Sequence, residues 1–264
     1  MKIATWNVNS LAVRLPQVLE WLAANPVDAL CLQELKLVDD KFPLAEFEAA
    51  GYHSAVFGQK TYNGVAIVSR SPPRDVVKNI TGFADEQSRV IAATLTSPDD
   101  LKGLNGEIRV VNGYFVNGQA PGSDKFTYKM QWLGGLNAAL KQALATHPRL
   151  VLLGDFNITV DDRDTYDAIG LRETIHHTSE ERQHFQQLID LGLTDAFRLF
   201  DQPEKSYSWW DYREFGFRRN RGLRIDHILV SDALKPRVTS CLIDKLPRKN
   251  ERPSDHAPVI VTLN

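Results

Sequence analysis

Short apolar runs rich in Val and Ile recur along all 264 residues of the chain. Such runs are typical of buried strands, because helices with the same degree of burial are usually longer. The predicted strands are Lys2–Asn7, Ala29–Gln33, Val65–Ser69, Val90–Thr94, Ile108–Tyr114, Leu150–Leu153, Ile225–Val230 and Val259–Thr262.

Amphipathic helical patterns lie between some of these strands. Apolar residues at helical spacing predict helices over Pro16–Ala24 and Lys125–Leu144. A third helix is predicted over Glu180–Leu191, where either Thr178 or Ser179 could cap the first turn. Strands mixed with amphipathic helices predict a layered α/β fold.

We expect one domain over residues 1–264, because no linker-like tract, repeat or low-complexity segment divides the sequence. We also expect a monomer. The predicted loop Asp201–Arg224 is long, and long loops in a compact domain are usually functional.

Composition narrows the protein class. With 43% apolar and 24% charged residues the chain is globular, which excludes disorder, collagen and coiled coil. No run approaches the roughly 20 apolar residues of a membrane span, so we expect no membrane association. Polar residues arrive too early for a signal peptide, and Cys31 and Cys241 make no disulfide framework, so we expect a cytoplasmic protein. The net charge of −2 requires that any polyanionic partner is held by a local basic surface.

Polar side chains close most of the predicted strands. Because α/β folds bind ligands where strand ends gather, we expect these groups to share one cleft. The groups are Asn7, Asn9, Gln33, Glu34, Tyr114, Asp155, Asn157, Asp226, Asp255 and His256.

Each of these groups has an alternative structural interpretation. Asn7 or Asn9 can be a turn residue, and Glu34 can be a solvated strand end. Asp226 is harder to explain in this way, because its apolar neighbours imply burial and a buried carboxylate needs a cation or hydrogen-bond donors. The recurrence of such groups at strand after strand favours a shared site.

The residue types indicate phosphodiester hydrolysis. The chain has no glycine-rich phosphate loop and no Gly-x-Ser-x-Gly elbow, which argues against nucleotide-cofactor chemistry and a serine hydrolase. Carboxylates and amides are hard oxygen ligands that suit magnesium or manganese rather than zinc. A divalent ion beside acid–base groups is typical of enzymes that hydrolyse phosphate esters.

Several motifs follow one another in a characteristic order. They are Thr5–Asn9, Leu32–Lys36, Gly58–Lys60, Asn63–Ala66, Val111–Phe115, Gly154–Ile158, Ser208–Arg213, Asn220–His227 and Arg252–Pro258. This ordered set resembles the exonuclease III family of DNA repair nucleases, within the endonuclease/exonuclease/phosphatase superfamily, over the whole chain. The resemblance implies a four-layer α/β sandwich in which two mixed β-sheets pack face to face with helices outside.

The resemblance also implies a metal site. Glu34 resembles the principal ligand, with Asn7 beside it, and the ion would be Mg²⁺, with Mn²⁺ as a substitute. It would act as a Lewis acid on the scissile phosphate. The further expected metal-binding residues are Asp155, Asn157, Asp255 and His256.

Catalytic roles follow from the same resemblance. Asp155 resembles the group that activates water, and Asn157 would orient that water. His256 and Tyr114 resemble the groups that contact the phosphate. Asp226 resembles the carboxylate that fixes the tautomer and charge of that histidine. Which group activates the nucleophile and which protonates the leaving group stays open.

The segment Lys205–Arg224 carries six basic and two acidic side chains, interleaved with aromatic residues. This composition suits a DNA backbone with an extruded or frayed nucleotide, although the aromatics could instead be core and the arginines a solvated face. The resemblance implies that small apolar walls form a recess for an abasic sugar. The expected recess residues are Trp209, Leu223 and Ile225, and the other expected substrate-binding residues are Asn9, Lys36, Asn117, His176 and Arg213.

One segment departs from the family pattern. Ile175-His176-His177 stands where relatives carry a small residue, an aromatic and Leu-Pro. One interpretation is a variable surface loop. The other is that His176 crowds the DNA channel and favours strand ends over internal abasic sites. A zinc site with His184 is a weaker interpretation, because the spacing on the helix is unconvincing.

The predicted activity is a Mg²⁺-dependent DNA repair hydrolase acting on double-stranded DNA with abasic sites or 3′ ends. The expected reactions are 3′-to-5′ exonuclease action yielding 5′-phosphomononucleotides, removal of 3′-blocking groups, and incision 5′ to abasic sites. The alternatives are a relative that acts on inositol phosphates or phospholipids, and a catalytically inactive nucleic-acid-binding module.

Overall fold

The computed structural model describes residues 1–97 and 106–264. Within these ranges the helices are α1 (Leu11–Ala24), α2 (Leu44–Ala49), α3 (Asp124–Thr146) and α4 (Ser179–Asp190). The strands are β1 (Lys2–Asn7), β2 (Ala29–Gln33), β3 (His53–Phe57), β4 (Val65–Ser69), β5 (Arg74–Lys78), β6 (Val90–Thr96), β7 (Glu107–Tyr114), β8 (Leu150–Asp155), β9 (Leu193–Asp195), β10 (Trp209–Trp210), β11 (Gly222–Leu223), β12 (Asp226–Ser231), β13 (Val238–Ile243) and β14 (Val259–Leu263).

Two mixed six-stranded sheets form the centre of the described structure. The first has the order β13-β14-β1-β2-β4-β3 and the second the order β5-β6-β7-β8-β12-β9. Each contains one parallel pair, β1 with β2 and β7 with β8. The short strands β10 and β11 pair separately. The two parallel pairs bring polar strand ends to the edge of each sheet at which the site lies.

The sheets pack face to face, and helices cover their outer faces. Side chains such as Ile67 and Val110 from facing strands form the central core. Trp21 of α1 and Phe47 of α2 pack on the outside of the first sheet. Trp132 of α3 packs with residues of α4 on the outside of the second sheet. This is the expected four-layer α/β sandwich, and burial on both faces explains why the strands are continuously apolar.

Most predicted elements are confirmed to within two residues at each end. The exception is the first helix, which begins at Leu11 rather than Pro16, so the proline lies inside the helix. Thr178 caps α4: its Oγ1 accepts from the Glu181 N–H, and the Glu181 carboxylate accepts from the Thr178 N–H.

The sequence did not predict β3, β5, β9, β10, β11 and β13, nor the short helix α2. All residues of β5 are exposed, so it has no apolar run to detect. An edge strand needs little apolar character, since much of its surface faces solvent.

Polar contacts join the two sheets near their shared end. Gln33 of β2 donates from Nε2 to Asn112 Oδ1 of β7 at 2.7 Å. Asn112 donates from Nδ2 to the carbonyls of Leu32 and Ala66, both at 2.9 Å. Because Gln33 precedes Glu34 and Asn112 is close to Tyr114, these bonds set the relative positions of two strand ends that carry site residues.

Cys31 and Cys241 are buried free thiols in the central core. This agrees with the expectation that they form no disulfide. No helix in residues 1–97 or 106–264 is long and apolar enough to cross a membrane.

Candidate active site

Strands from both sheets end at one edge of the sandwich. Asn7 ends β1, and Glu34 follows β2, its parallel neighbour. Tyr114 is paired with Asp155 at the ends of β7 and β8, and Asp226 at the start of β12 is directly opposite Asp155. The register therefore collects groups that are far apart in the sequence.

Glu34, Asp155 and His256 converge at this edge. Each offers a ligand atom, and these atoms lie within 4.8 Å of one another. Asp155 is 1% exposed and His256 4% exposed, whereas Glu34 faces the opening. Two carboxylates and an imidazole at this spacing form a donor set for a hard divalent cation.

Asn7 holds the two carboxylates together. Its Nδ2 donates to Glu34 Oε1 and Asp155 Oδ2, both at 2.9 Å, and its Oδ1 accepts from the Asn9 N–H at 3.0 Å. In this arrangement the Asn7 amide is engaged by protein groups. Its expected contact with a metal ion stays a prediction.

Asp226 orients His256. Both Asp226 oxygens lie within hydrogen-bonding distance of His256 Nδ1, at 2.9 and 3.1 Å, which places the Nδ1 proton towards the carboxylate. His256 Nε2 is thereby directed towards Asp155 Oδ2, 3.7 Å away. Ser208 Oγ in turn accepts from the Asp226 N–H at 3.0 Å and helps fix this strand start.

Burial and charge shift the pKa values of both groups. Burial alone would lower the pKa of His256, but the carboxylates of Asp226 and Asp155 outweigh it and raise the pKa above its usual range. Burial raises the pKa of Asp155. The nearby carboxylates of Asp226 and Glu34 raise this pKa further, whereas His256 lowers it. A cation would relieve this crowding of negative charge, so the residues fit a divalent metal.

Tyr114 lies beside the same carboxylates. Burial, reinforced by Glu34 and Asp155, raises the pKa of its hydroxyl well above the usual range. The guanidinium of Arg89 lies 4.9 Å from the ring centroid. Tyr114 therefore keeps its proton and is available as a hydrogen-bond donor.

A second chain of polar contacts runs from Glu34 along the opening. Lys36 Nζ lies 3.0 Å from Glu34 Oε2 and also donates to Asn9 Oδ1. Asn9 Nδ2 donates to Asp255 Oδ1 at 3.0 Å, and Trp209 Nε1 donates to Asp255 Oδ2 at 3.0 Å. Asp255 thus lies beside the trio rather than in it, and its expected metal contact stays a prediction.

Asn157, Asn117 and His176 form the other side of the opening. Asn117 Nδ2 donates to Asn157 Oδ1 at 3.2 Å, while Asn157 Nδ2 donates to the Phe115 carbonyl at 3.1 Å. His176 Nδ1 bonds the Asn157 carbonyl at 2.7 Å, and its Nε2 lies 3.5 Å from Asn117 Nδ2. Burial lowers the pKa of His176 to about 3, so the imidazole is neutral near pH 7.

A cavity of about 450 Å³ adjoins this side of the site. Its lining includes His176, Trp209, Arg213 and Leu223, so the structure brings four expected substrate-binding residues together. Ile225 is buried and does not line the cavity, so its expected place in the recess stays a prediction.

The segment Lys205–Arg224 only partly matches the expected basic surface. Arg224 is 1% exposed and paired with Asp164 and Asp195 at 2.7 and 2.8 Å, so its expected contribution to a DNA-facing surface is wrong. Tyr207 and Trp210 are core residues. An arginine buried in an ion pair and an exposed arginine look the same in the sequence. The sequence alone therefore could not show that Arg224 is buried.

The other cations of this segment are on the surface. Arg213 is paired with Asp211 and Arg221 with Glu214, both through exposed side chains. Lys205, Arg218 and Arg219 are exposed. The basic surface is therefore smaller than the sequence suggests.

Several site residues adopt left-handed backbone conformations. Glu34, Lys36, Asn157 and His176 have φ values of 53°, 56°, 51° and 71°. Such conformations cost on the order of 1–2 kcal/mol for residues other than glycine. Their concentration here shows that the surrounding structure enforces the directions of these side chains.

The sequence analysis missed the supports of the site. Ser208 holds Asp226, and Lys129 and Glu181 form a fully buried ion pair beneath Asn157 and His176. The signal for Lys129 in the sequence is a charged residue within the apolar stripe of α3.

Comparison with known proteins agrees with this geometry. Residues 4–256 match the endonuclease/exonuclease/phosphatase family. Exodeoxyribonuclease III of Haemophilus influenzae is 36% identical over 98% of both chains. The chain is also similar to a solved structure of a 3′ phosphatase from Neisseria bound to a product DNA hairpin, with 51% identity, a TM-score of 0.94 and coverage of 100% and 99%. An AP endonuclease from Archaeoglobus fulgidus is 34% identical, with a TM-score of 0.92 and coverage of 100% and 99%.

These matches extend over nearly the whole chain, and they include the strand ends that carry Glu34, Asp155 and His256. The chain therefore belongs to the endonuclease/exonuclease/phosphatase family and, within it, to the exonuclease III family of DNA repair nucleases.

Proposed function

We propose that this protein is a metal-dependent DNA repair nuclease that uses Mg²⁺ and acts at 3′ ends and abasic sites in double-stranded DNA. The observation that carries the proposal is the convergence of Glu34, Asp155 and His256 within 4.8 Å, with Asp226 bonded to His256. The named activities of its relatives, exodeoxyribonuclease, 3′ phosphatase and AP endonuclease, support the substrate class.

Glu34 and Asp155 would hold the ion, Asn7 would keep the two carboxylates in place, and His256 would lie beside the ion as a protonated group. Oxygen donors dominate the set, which favours Mg²⁺ with Mn²⁺ as a substitute. When bound, the metal supplies Lewis-acid activation of the scissile phosphate. The further expected ligands Asn157 and Asp255 belong to this proposal as residues that border the trio.

The protein residues divide the hydrolysis between them. Asp155 takes a proton from the attacking water, which Asn157 orients, and the water oxygen bonds to phosphorus as the bond to the 3′ oxygen breaks. His256 and Tyr114 donate hydrogen bonds to phosphate oxygens, and Asp226 keeps His256 protonated. The products are a 5′-phosphomononucleotide and a new 3′ hydroxyl, which takes up one proton.

DNA would be held by polar and basic groups at the opening and by exposed arginines of the segment Lys205–Arg224. Lys36, Arg213, Arg218 and Arg219 are the candidate phosphate contacts, together with Asn9 and Asn117 at the rim. Trp209 and Leu223, supported by Ile225, would form the apolar wall against a base-free sugar. Since the net charge is −2, this local surface has to supply the attraction to DNA.

His176 would favour strand ends over internal abasic sites. Its side chain lines the cavity beside Trp209 and is held by the Asn157 carbonyl, so it occupies space that a continuous strand would need. We expect His176→Gly to raise incision at an internal abasic site relative to removal of a 3′-phosphate. An unchanged ratio of the two rates would contradict this role.

We further propose that the chain is a monomeric single domain in a reducing compartment such as the cytoplasm. The central core is shared by both sheets, which supports one folding unit, and the buried free thiols Cys31 and Cys241 suit a reducing environment. Gel filtration coupled to light scattering at micromolar protein tests the oligomeric state.

A substrate panel tests the activity. The protein is incubated with Mg²⁺ and a duplex with a recessed 3′ end, a 3′-phosphate end or an internal abasic site, and separately with an inositol phosphate. We expect turnover of the DNA substrates only. Hydrolysis of the inositol phosphate alone, or DNA binding with no cleavage of any substrate, would support the alternatives and contradict the proposal.

A further inference from the structure

A fully buried ion pair lies behind the substrate-facing side of the site. Lys129 of α3 and Glu181 of α4 are both 0% exposed and are joined by a hydrogen bond. Taking two charges out of water is costly, and apolar residues of similar volume are often at least as stable in such places. The pair therefore calls for an explanation other than stability.

Lys129 holds two loops together. Its Nζ donates to the Asn157 carbonyl at 2.8 Å and to the Asn117 carbonyl at 3.3 Å, as well as to Glu181. The ammonium group has three donors, and these contacts use all of them. The loops that follow β7 and β8 are thus fixed to a single atom.

Glu181 brings a third loop to the same point. Its Oε1 accepts from the His176 N–H at 3.1 Å, and its Oε2 accepts from the Thr178 N–H at 3.0 Å. The His176 ring then bonds the same Asn157 carbonyl that Lys129 contacts. Asn117, Asn157 and His176 consequently have their positions set by one buried pair.

The pair reaches the candidate metal ligands only at the main-chain carbonyl of Asn157. Among the described residues, the hydrogen bonds of Lys129 and Glu181 lead to Asn117, Asn157, His176 and Thr178, not to Glu34, Asp155 or His256. Substrate positioning and metal binding are therefore separable by mutation.

We infer that Lys129 and Glu181 are positioning residues that set the preference of this site for strand ends over internal abasic sites. The inference rests on the proposed function. Because the His176 loop is held in place through Glu181, loss of the pair would release that loop from the channel and loosen Asn117 and Asn157. Loss of the pair would thus change which substrate fits, while the contacts that hold Glu34 and Asp155 together stay in place.

The double variant Lys129→Met/Glu181→Leu tests the inference. It removes both charges, so neither is left buried without a partner, and apolar packing is retained.

We expect a melting temperature close to that of the parent and an unchanged Mg²⁺ concentration for half-maximal activity. We expect kcat/KM on a 3′-phosphate end to fall on the order of 10- to 100-fold, as misplaced substrate contacts typically cause. The ratio of internal abasic incision to 3′-phosphate removal should rise.

Leu136→Ala is the matched control, because Leu136 is a buried residue of α3 that is outside these contacts. We expect it to lower stability without changing the substrate ratio. If the double variant does not fold, the neutral pair Lys129→Gln/Glu181→Gln takes its place, with the same expected direction. A folded variant with the parental ratio, or an equal change in Leu136→Ala, would overturn the inference. A parent that cleaves none of the DNA substrates would instead contradict the proposed function.

Discussion

Asp226 acts on the reaction only through His256, whose charge it controls. Its carboxylate lies 2.9 Å from His256 Nδ1 and is the main influence that raises the pKa of the imidazole against the effect of burial. The charge of His256, a candidate catalytic residue, thus depends on a side chain that lies behind it.

We expect Asp226→Asn to lower kcat by about 10- to 100-fold, as loss of a residue behind a metal or phosphate ligand usually does. Without the carboxylate the pKa of His256 falls, so the imidazolium is lost at lower pH and the alkaline limb of the rate profile moves towards acid. Rates over pH 6–10 measure this. The exposed Asp232→Asn is the control, and an unshifted alkaline limb would contradict the role of Asp226.

His227 is a buried imidazole with a structural role. It lies between Phe156 and Phe185, with ring centroids 5.1 and 5.2 Å away, and its Nε2 bonds the Ile158 carbonyl at 2.9 Å. Burial, reinforced by Arg224, lowers its pKa to about 4. The folded chain therefore resists protonation of His227 that the unfolded chain accepts near pH 6.5.

This difference makes folding sensitive to acid. The contribution of His227 is fully present above pH 6.5 and is lost as the pH falls from 6.5 to 4, by about 2 kcal/mol between pH 7 and pH 5. We expect His227→Phe to reduce the loss of unfolding free energy between pH 7 and pH 5 by about this amount. Denaturant titrations at the two pH values measure it, and an equal loss in parent and variant would rule the effect out.

At the scale of the elements, one glycine permits β7 and β8 to approach closely at the site. Gly154 has φ +142°, and a Cβ placed there would lie 1.8 Å from the Gly113 carbonyl oxygen. Only glycine fits between these parallel strands directly before Asp155. The position of the carboxylate therefore depends on a residue with no side chain.

We expect Gly154→Ala to destabilise the fold by about 3 kcal/mol or more and to abolish cleavage, because the strands must separate. Gly134→Ala is the matched control, since Gly134 lies in α3 with nothing within 4 Å of the added Cβ. The control should be stabilised by about 0.5–1 kcal/mol. Thermal and denaturant unfolding compare the two, and similar effects in both variants would contradict this account.

The elements differ in how well the sequence predicts them. Buried strands such as β8 are apolar along their whole length, so their extent is visible in the sequence. The exposed strand β5 has no such pattern. It pairs with β6 through backbone hydrogen bonds, which do not require apolar side chains. The predicted start of helix α1 was wrong, because proline is usual in the first turn of a helix. Here Pro16 lies in the interior of the helix.

At the scale of the whole molecule, the convergence of strand ends could be predicted, but the details of contact could not. Glu34 and Asp155 stand at the ends of apolar runs, whereas Asp226 and His256 stand at or before the starts of others, which indicates that all four lie at one edge. The hydrogen bonds of Asn7 and the burial of Arg224 depend on partners distant in the sequence. Such partnerships require the tertiary structure, because an ion pair leaves no local pattern.

The two-sheet architecture also explains how the site is assembled. Glu34 comes from the first sheet and Asp155 from the second, and the Gln33–Asn112 hydrogen bond joins the sheets close to both residues. Side-chain amides buried between sheets are costly unless they are paired, so this contact helps to specify one relative placement of the sheets. The metal-binding geometry is therefore a property of the complete sandwich.

The most direct test of this convergence is a Mg²⁺ titration of 3′-end cleavage by the parent and by Glu34→Gln, starting from chelated protein. We expect the parent to be inactive with chelator and restored by Mg²⁺, and the variant to need more than about 100-fold more Mg²⁺ or to stay inactive. Cleavage by the parent in the presence of chelator, or the same Mg²⁺ requirement in both proteins, would contradict the placement of Glu34 at a shared metal site.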